Sequence, residues 1–331
     1  MTSGSAALAL PVGDDALAAR LHERLGVVEA ALAGHVRSRA AFVTETASHL
    51  MEAGGKRFRP LLVLLAAETG DHPDSYDVVT AACVVELTHL ASLYHDDVMD
   101  EADLRRGAKS ANARWDNSIA ILTGDFLFAH ASRLVAGLGP DAVRIIAETF
   151  AELVTGQTRE TVGAGPDDDP IAHHLRVLDE KTAALIDTCA RYAGMFSGAR
   201  EEETAALRRY GRAVGMAFQI SDDIIDISST DSGKTPGTDL REGVRTLPVL
   251  YTLADPAADP RLRELVSGPI TSEELLHEAV ELLTCSPGMA RARKTLADYA
   301  DAATAELELL PESSSRDAMS SLVRYVIART R

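Results

Sequence analysis

The chain has 331 residues, with 33 Lys plus Arg against 50 Asp plus Glu and a formal net charge of −17. Hydrophobic residues make up 46% and charged residues 25%, which supports a sizeable packed core and excludes disorder, a collagen helix and a disulfide scaffold. The acidic surplus repels phosphate backbones and no Lys/Arg run offsets it, which argues against nucleic-acid binding.

Ala, Leu, Glu and Arg dominate the long segments and period-two alternation is scarce, so the expected fold is all-α, with no strand needed. A first helix runs from about Asp14 to His35, and a second reaches Ala53, where Gly54 and Gly55 stop it. Pro60 suits the first turn of a third, and Ser75 caps a fourth over Tyr76 to Asp100. Further helices are expected at Ser118 to Leu138, Asp141 to Thr161, Ala172 to Ser197, Thr204 to Ile227, Leu247 to Leu253 and Ser272 to Leu283, with two more near the C-terminus. Gly163 to Pro170 and Ser228 to Asp239 read as loops. No linker or tandem repeat divides the chain. One large helical domain over 1–331 is therefore expected, with an N-terminal segment 1–50, a motif-bearing core 54–250 and C-terminal helices 251–331.

Cys83, Cys189 and Cys285 lie far apart without CxxC spacing, the N-terminus has no cationic leader, and runs such as Leu61 to Ala67 are too short to span a bilayer. A cytoplasmic protein without stable membrane insertion is expected.

Two acidic motifs echo each other: DDVMD, Asp96 to Asp100, and DDIID, Asp222 to Asp226. Each places acids at i, i+1 and i+4 near the end of an apolar helix, so Asp96 with Asp100, and Asp222 with Asp226, share a face. Like charges at a helix C-terminus repel each other and the macrodipole. One such motif is most simply a solvated helix end. Two on apolar helices point to Mg²⁺, which takes one or two carboxylates together with waters and phosphate oxygens.

Cations stand close by: Arg105 and Arg106 after the first motif, Lys234, Arg241 and Arg245 after the second, and Lys56, Arg57 and Arg59 in GGKRFRP, between a helix stop and a helix start whose free backbone N–H groups could also meet an anion. Singly these are surface features. Together they suit more than one polyphosphate group. His89, alone on an apolar helix, and His95 both read first as structural. Gly211, Gly215 and Gln219 share one face, the glycines allowing close packing and Gln219 pointing inward.

GGKRFRP (Gly54 to Pro60), ELTHLASLYHDDVMDEADLRRG (Glu86 to Gly107), GDFLFAHA (Gly124 to Ala131), EKTAALI (Glu180 to Ile186) and GMAFQISDDIID with its loop GKTPGTDLREGVRTLP resemble the all-trans polyprenyl diphosphate synthases, in the family's order. The resemblance implies antiparallel helices around a deep central cavity, a homodimer, and two aspartate motifs facing each other across several Mg²⁺ ions. It implies Asp96, Asp100 and Asp222 as direct ligands, with Asp97, Asp223 and Asp226 in support. Arg105, Lys181, Gln219 and Lys234 would hold the allylic diphosphate or its surroundings. Gly55, Lys56, Arg59, His89 and Arg106 would hold isopentenyl diphosphate. Thr182 and Gln219 would turn oxygen dipoles toward the carbocation formed when the allylic C–O bond breaks. No side-chain nucleophile is required.

Ser92 and Thr88 lie one and two turns below Asp96, roughly 6 and 12 Å down the helix, with Ala91 beside them. In this family an aromatic residue at the fourth or fifth position before the first motif blocks elongation. None stands there, so an open tunnel and a product longer than twenty carbons, of the respiratory-quinone kind, are expected in preference to geranylgeranyl or farnesyl diphosphate. Phe126, Phe128 or Phe150 offer alternative floors. Two departures from the pattern are Arg245, after Val244, where the family has Lys, and His130, where it has Arg or Lys. The rivals are a metal-dependent phosphohydrolase, suggested by His95-Asp96, and a non-catalytic subunit of a heteromeric synthase, which would be expected to have lost one aspartate motif.

Overall fold

A computed structural model describes residues 12–55, 57–228 and 237–330. They form α1 (Asp15–His35), α2 (Ala41–Glu52), α3 (Phe58–Ala67), α4 (Tyr76–Met99), a ribbon of β1 (Leu104–Arg105) and β2 (Ala108–Lys109), α5 (Ala111–Arg114), α6 (Asn117–Ala136) and α7 (Pro140–Val162). There follow α8 (Pro170–Leu178), a π segment (Asp179–Ala183), α9 (Ala184–Ser197), α10 (Glu201–Ser228), α11 (Thr238–Glu242), α12 (Leu247–Ala254), α13 (Pro260–Leu265), α14 (Glu273–Thr284), α15 (Pro287–Leu307) and α16 (Ser314–Ala328). Two compact units emerge: 12–150 with 188–208 and 309–321, and 151–187 with 209–308 and 322–330.

In the first unit α4 is the core helix, flanked by α1, α3 and α6. Every residue of α3 from Pro60 to Ala67 is buried, as an all-round apolar helix requires. The Ser75 hydroxyl accepts the Val78 N–H at 3.2 Å, and Asp100 closes α4 as its C-cap. Gly124 brings α6 onto α4, because a Cβ there would overlap the His95 imidazole. By length and composition α4 and α6 could each cross a membrane, but the apolar window of α4 is 78% buried within the protein and that of α6 only 33%.

In the second unit α12 packs on α15 and α8. α10 closes on the π segment through Gly215, where a Cβ would stand 2.7 Å from the Ala183 Cα.

Three expectations need correction. The stretch after the first motif is a β-ribbon, because Arg106 (φ 54°) and Gly107 (φ 77°) form a two-residue turn with both φ positive, the twist that antiparallel strands prefer. The helix expected from Ala172 to Ser197 starts at Pro170 and is interrupted by the π segment. Thr238–Glu242, expected partly as loop, is helical, and residues 229–236 of that loop lie outside the described residues.

Candidate active site

The first unit gathers one group of the expected residues around the end of α4. Asp97 is fully buried, and the Arg105 Nε donates to its Oδ1 at 2.5 Å. Burial pushes the Asp97 carboxyl up, and Arg105 opposes that shift. The Arg105 Nη2 lies 3.8 Å from Asp100, whose side chain is 52% exposed. Asp97 thus anchors the ribbon arginine from inside, whereas Asp96 and Asp100 stand further out. His95 bonds the Ile121 carbonyl and lies 3.5 Å from Asp125, so it ties α4 to α6, as its structural reading requires.

Arg106 reaches back to the end of α2, where its Nη1 donates to the Leu50 carbonyl at 2.9 Å and to the Gly54 carbonyl just beyond. Its guanidinium lies over Gly55 (φ 141°), where a Cβ would come within 2.9 Å. Arg57, in the left-handed region at φ 45°, turns inward and pairs with buried Glu86 at 3.2 Å, which makes it a structural member of GGKRFRP. The buried Nε of Arg59, like that of Arg57, has no hydrogen-bond partner, but among the described residues no carboxylate pairs with Arg59 as Glu86 does with Arg57. His89 stands among these cations. Burial, then the charges of Arg59, Arg106, Arg57 and Arg105, hold its imidazole well below the ordinary value of 6.5, hence neutral at pH 7. His89 thus stands as a neutral imidazole beside Arg59 and Arg106, a donor set whose chemistry suits an anion. Lys56 lies outside the described residues. Thr88 and Ala91 are fully buried, and Ser92 is nearly so.

The second unit gathers the other group. Asp223 is buried, its Oδ2 accepting from His174 Nε2 at 2.8 Å and from the Leu247 N–H at 3.0 Å. Asp226 accepts the Asp239 N–H at 3.1 Å and so anchors α11. Asp222 is 42% exposed and pairs with Arg329 at 2.7 Å, while the Arg329 guanidinium lies 4.8 Å from the Phe218 ring centre. Lys181 and Thr182 occupy the π segment, with Lys181 paired to Glu160. Gln219 is half-buried, one turn beyond Gly215 on α10. Arg245 donates to the Ser267 carbonyl at 3.1 Å, and Lys234 lies outside the described residues.

The donor chemistry fits a hard dication. Each motif offers at least one accessible carboxylate beside a buried one, and each carries an arginine that offsets part of its charge. Among the described residues no three His, Cys, Asp or Glu side chains group closely enough to hold a metal ion by themselves. Sequence reasoning missed His174, Arg212 and Arg329, each paired with an acid far along the chain.

Residues 40–283 match the family described as Polyprenyl synthetase. The chain is 51% identical over 331 residues to nonaprenyl diphosphate synthase of Mycobacterium tuberculosis (strain ATCC 25618 / H37Rv), with 99% of each chain covered. Geranylgeranyl pyrophosphate synthase from Corynebacterium glutamicum, solved with calcium and isoprenyl diphosphate, superposes with a TM-score of 0.87 at 49% identity, covering 97% of this chain and 99% of that one. A decaprenyl diphosphate synthase from Rhodobacter capsulatus gives 0.85 at 34% identity, covering 96% and 99%. The chain belongs to the polyprenyl synthetase family and is a trans-prenyltransferase. The family joins isopentenyl diphosphate to an allylic diphosphate and binds divalent metal, which sets aside the phosphohydrolase reading.

Proposed function

We propose that the enzyme condenses isopentenyl diphosphate with an allylic diphosphate by ionisation, condensation and elimination, and that its all-trans product is longer than the geranylgeranyl chain. The observation that carries the length is the small, buried set Thr88, Ala91 and Ser92 below the first motif, with no aromatic ring among them. The 51% identical nonaprenyl synthase supports it. The Corynebacterium enzyme at 49% identity favours a second reading, a geranylgeranyl product. Labelled isopentenyl diphosphate with farnesyl or geranylgeranyl primer, followed by sizing of the extracted lipids, separates the two: chains beyond geranylgeranyl support the first, and a stop at geranylgeranyl supports the second.

In this reading Asp96, Asp100 and Asp222 hold Mg²⁺, with Asp97, Asp223 and Asp226 orienting the motifs. Bound Mg²⁺ would neutralise the allylic diphosphate and make it a better leaving group. Arg105, Lys181 and Lys234 grip that diphosphate. Gly55, Lys56, Arg59, His89 and Arg106 take the isopentenyl diphosphate, the neutral His89 imidazole offering it an N–H. Thr182 and Gln219 direct oxygen dipoles at the cation. The released diphosphate takes the proton. Gly55→Ala is expected to raise KM for isopentenyl diphosphate by roughly tenfold, since its Cβ would push the Arg106 guanidinium aside and Gly55 itself holds a positive φ that side chains rarely adopt. Steady-state kinetics with the allylic primer saturating reads that change.

We also place the enzyme in the cytoplasm as a homodimer. The weakly buried apolar helix α6, with Leu122 62% exposed and Ile121 43% exposed, is the face proposed to pair with a second copy. Leu122→Glu is expected to yield monomers in sedimentation analysis, and a wild-type dimer in that variant would place the interface elsewhere.

A further inference from the structure

The π segment Asp179–Ala183 carries Lys181 and Thr182, two residues to which the proposed reaction assigns the diphosphate and the cation. A π turn holds one residue more than the α turn it replaces, and it persists where tertiary contacts pin it.

Both ends of this one are pinned by a single face of α10. At the start, Arg212 forks onto Asp179, Nε to Oδ1 at 2.5 Å and Nη2 to Oδ2 at 2.6 Å. The same guanidinium pairs with Glu152 of α7 and lies 3.9 Å from Asp187 of α9. At the end, three residues along α10, Gly215 touches Ala183. Between them the α7 backbone closes in at Gly156, where a Cβ would meet the Lys181 N at 2.6 Å, and Arg159 holds Glu180 at 2.9 Å. Arg212 is the hub of these ties, one cation shared by three acids on three elements.

We propose that Arg212 is a positioning residue for Lys181 and Thr182: it fixes the first residue of the π segment and so sets the direction in which the next two side chains point. Without that cation, Asp179, Glu152 and Asp187 repel one another and the segment relaxes toward α geometry. Absorbing the extra residue turns Lys181 and Thr182 by about 100° relative to α9, because each α residue advances the helix by that angle. The distance between α10 and the reacting groups does not matter to this effect, since it is transmitted through the register of one helix.

The inference rests on the roles proposed for Lys181 and Thr182, so the experiment carries its own control. Arg212→Gln, Arg212→Lys and Gly215→Ala are compared with Lys181→Ala and Thr182→Val by steady-state kinetics and by amide hydrogen exchange. For Arg212→Gln the expected result is kcat lower by roughly 100-fold, as misplacement of a reacting group costs, with KM for isopentenyl diphosphate little changed and faster exchange over 178–184. Arg212→Lys, which keeps the charge without the fork, falls in between, and Gly215→Ala loosens the same segment from its other end. Unchanged exchange over 178–184 in Arg212→Gln, or wild-type kcat despite faster exchange, overturns the proposal. If Lys181→Ala and Thr182→Val keep wild-type turnover, the assigned roles fail instead, and the exchange data still decide whether Arg212 pins the segment. Should Arg212→Gln not fold, Arg212→Lys and Gly215→Ala carry the same two readouts.

Discussion

Asp96→Ala and Asp222→Ala each lower elongation by roughly 10²–10³-fold or more, the cost of removing a group that stabilises the departing charge, while the far-UV circular dichroism stays that of the wild type. The separation of activity from folding follows from where the carboxylates stand. Asp96, Asp97 and Asp100 crowd the C-terminal end of α4, where the helix dipole already disfavours negative charge. Removing Asp96 relieves repulsion there and leaves the buried Asp97–Arg105 pair intact. Asp222 is partly exposed, and its partner Arg329 keeps the Phe218 ring when the carboxylate is gone. Asp97→Ala behaves in the opposite way. It leaves a cavity at a fully buried position and takes from Arg105 its closest partner, leaving Asp100 at 3.8 Å, and so lowers the melting temperature. Thermal melts beside turnover numbers separate the two kinds of aspartate. Equal destabilisation in all three variants contradicts the division.

Ser92→Phe shortens the product to the geranylgeranyl length or below. Ser92 is buried one turn beneath Asp96, and its hydroxyl donates only to the His89 carbonyl of its own helix at 2.8 Å. The substitution therefore breaks no tie between elements and acts by bulk. Thr88, one turn deeper, bonds the Val84 carbonyl in the same way, so Thr88→Phe should also shorten the product, by less. An unchanged lipid length in both variants means the chain grows along another wall, near Phe128 and Phe150, whose rings stack at 4.1 Å.

What the sequence discloses is the part that local chemistry decides. Ser75 before an apolar run starts α4, glycines stop α2, and the acids of each motif sit where a helix ends. The ribbon at Arg105 escaped because two-residue strands have no period to read. Only the Arg106-Gly107 pair signals it, and Arg is an unusual residue at positive φ. The π segment escaped for a different reason. Its ties come from Gly156 and Arg212, more than twenty residues to either side, and EKTA read alone continues an α-helix. Arg329 lies 107 residues from Asp222, a pairing that only the folded chain brings together. Arg57 shows the reverse case. It sits within a motif rich in cations, yet the left-handed turn that opens α3 sends it to Glu86, away from any substrate.

The proposed function gives Mg²⁺ to Asp96 and Asp100 in one motif and to Asp222 in the other. Electron paramagnetic resonance with Mn²⁺ in place of Mg²⁺ counts the ions bound per chain with a non-reactive allylic thiodiphosphate, independently of turnover. The expected result is ions that bind together with the analogue in the wild type and fewer of them in both Asp96→Ala and Asp222→Ala. The wild-type number in either variant would contradict it.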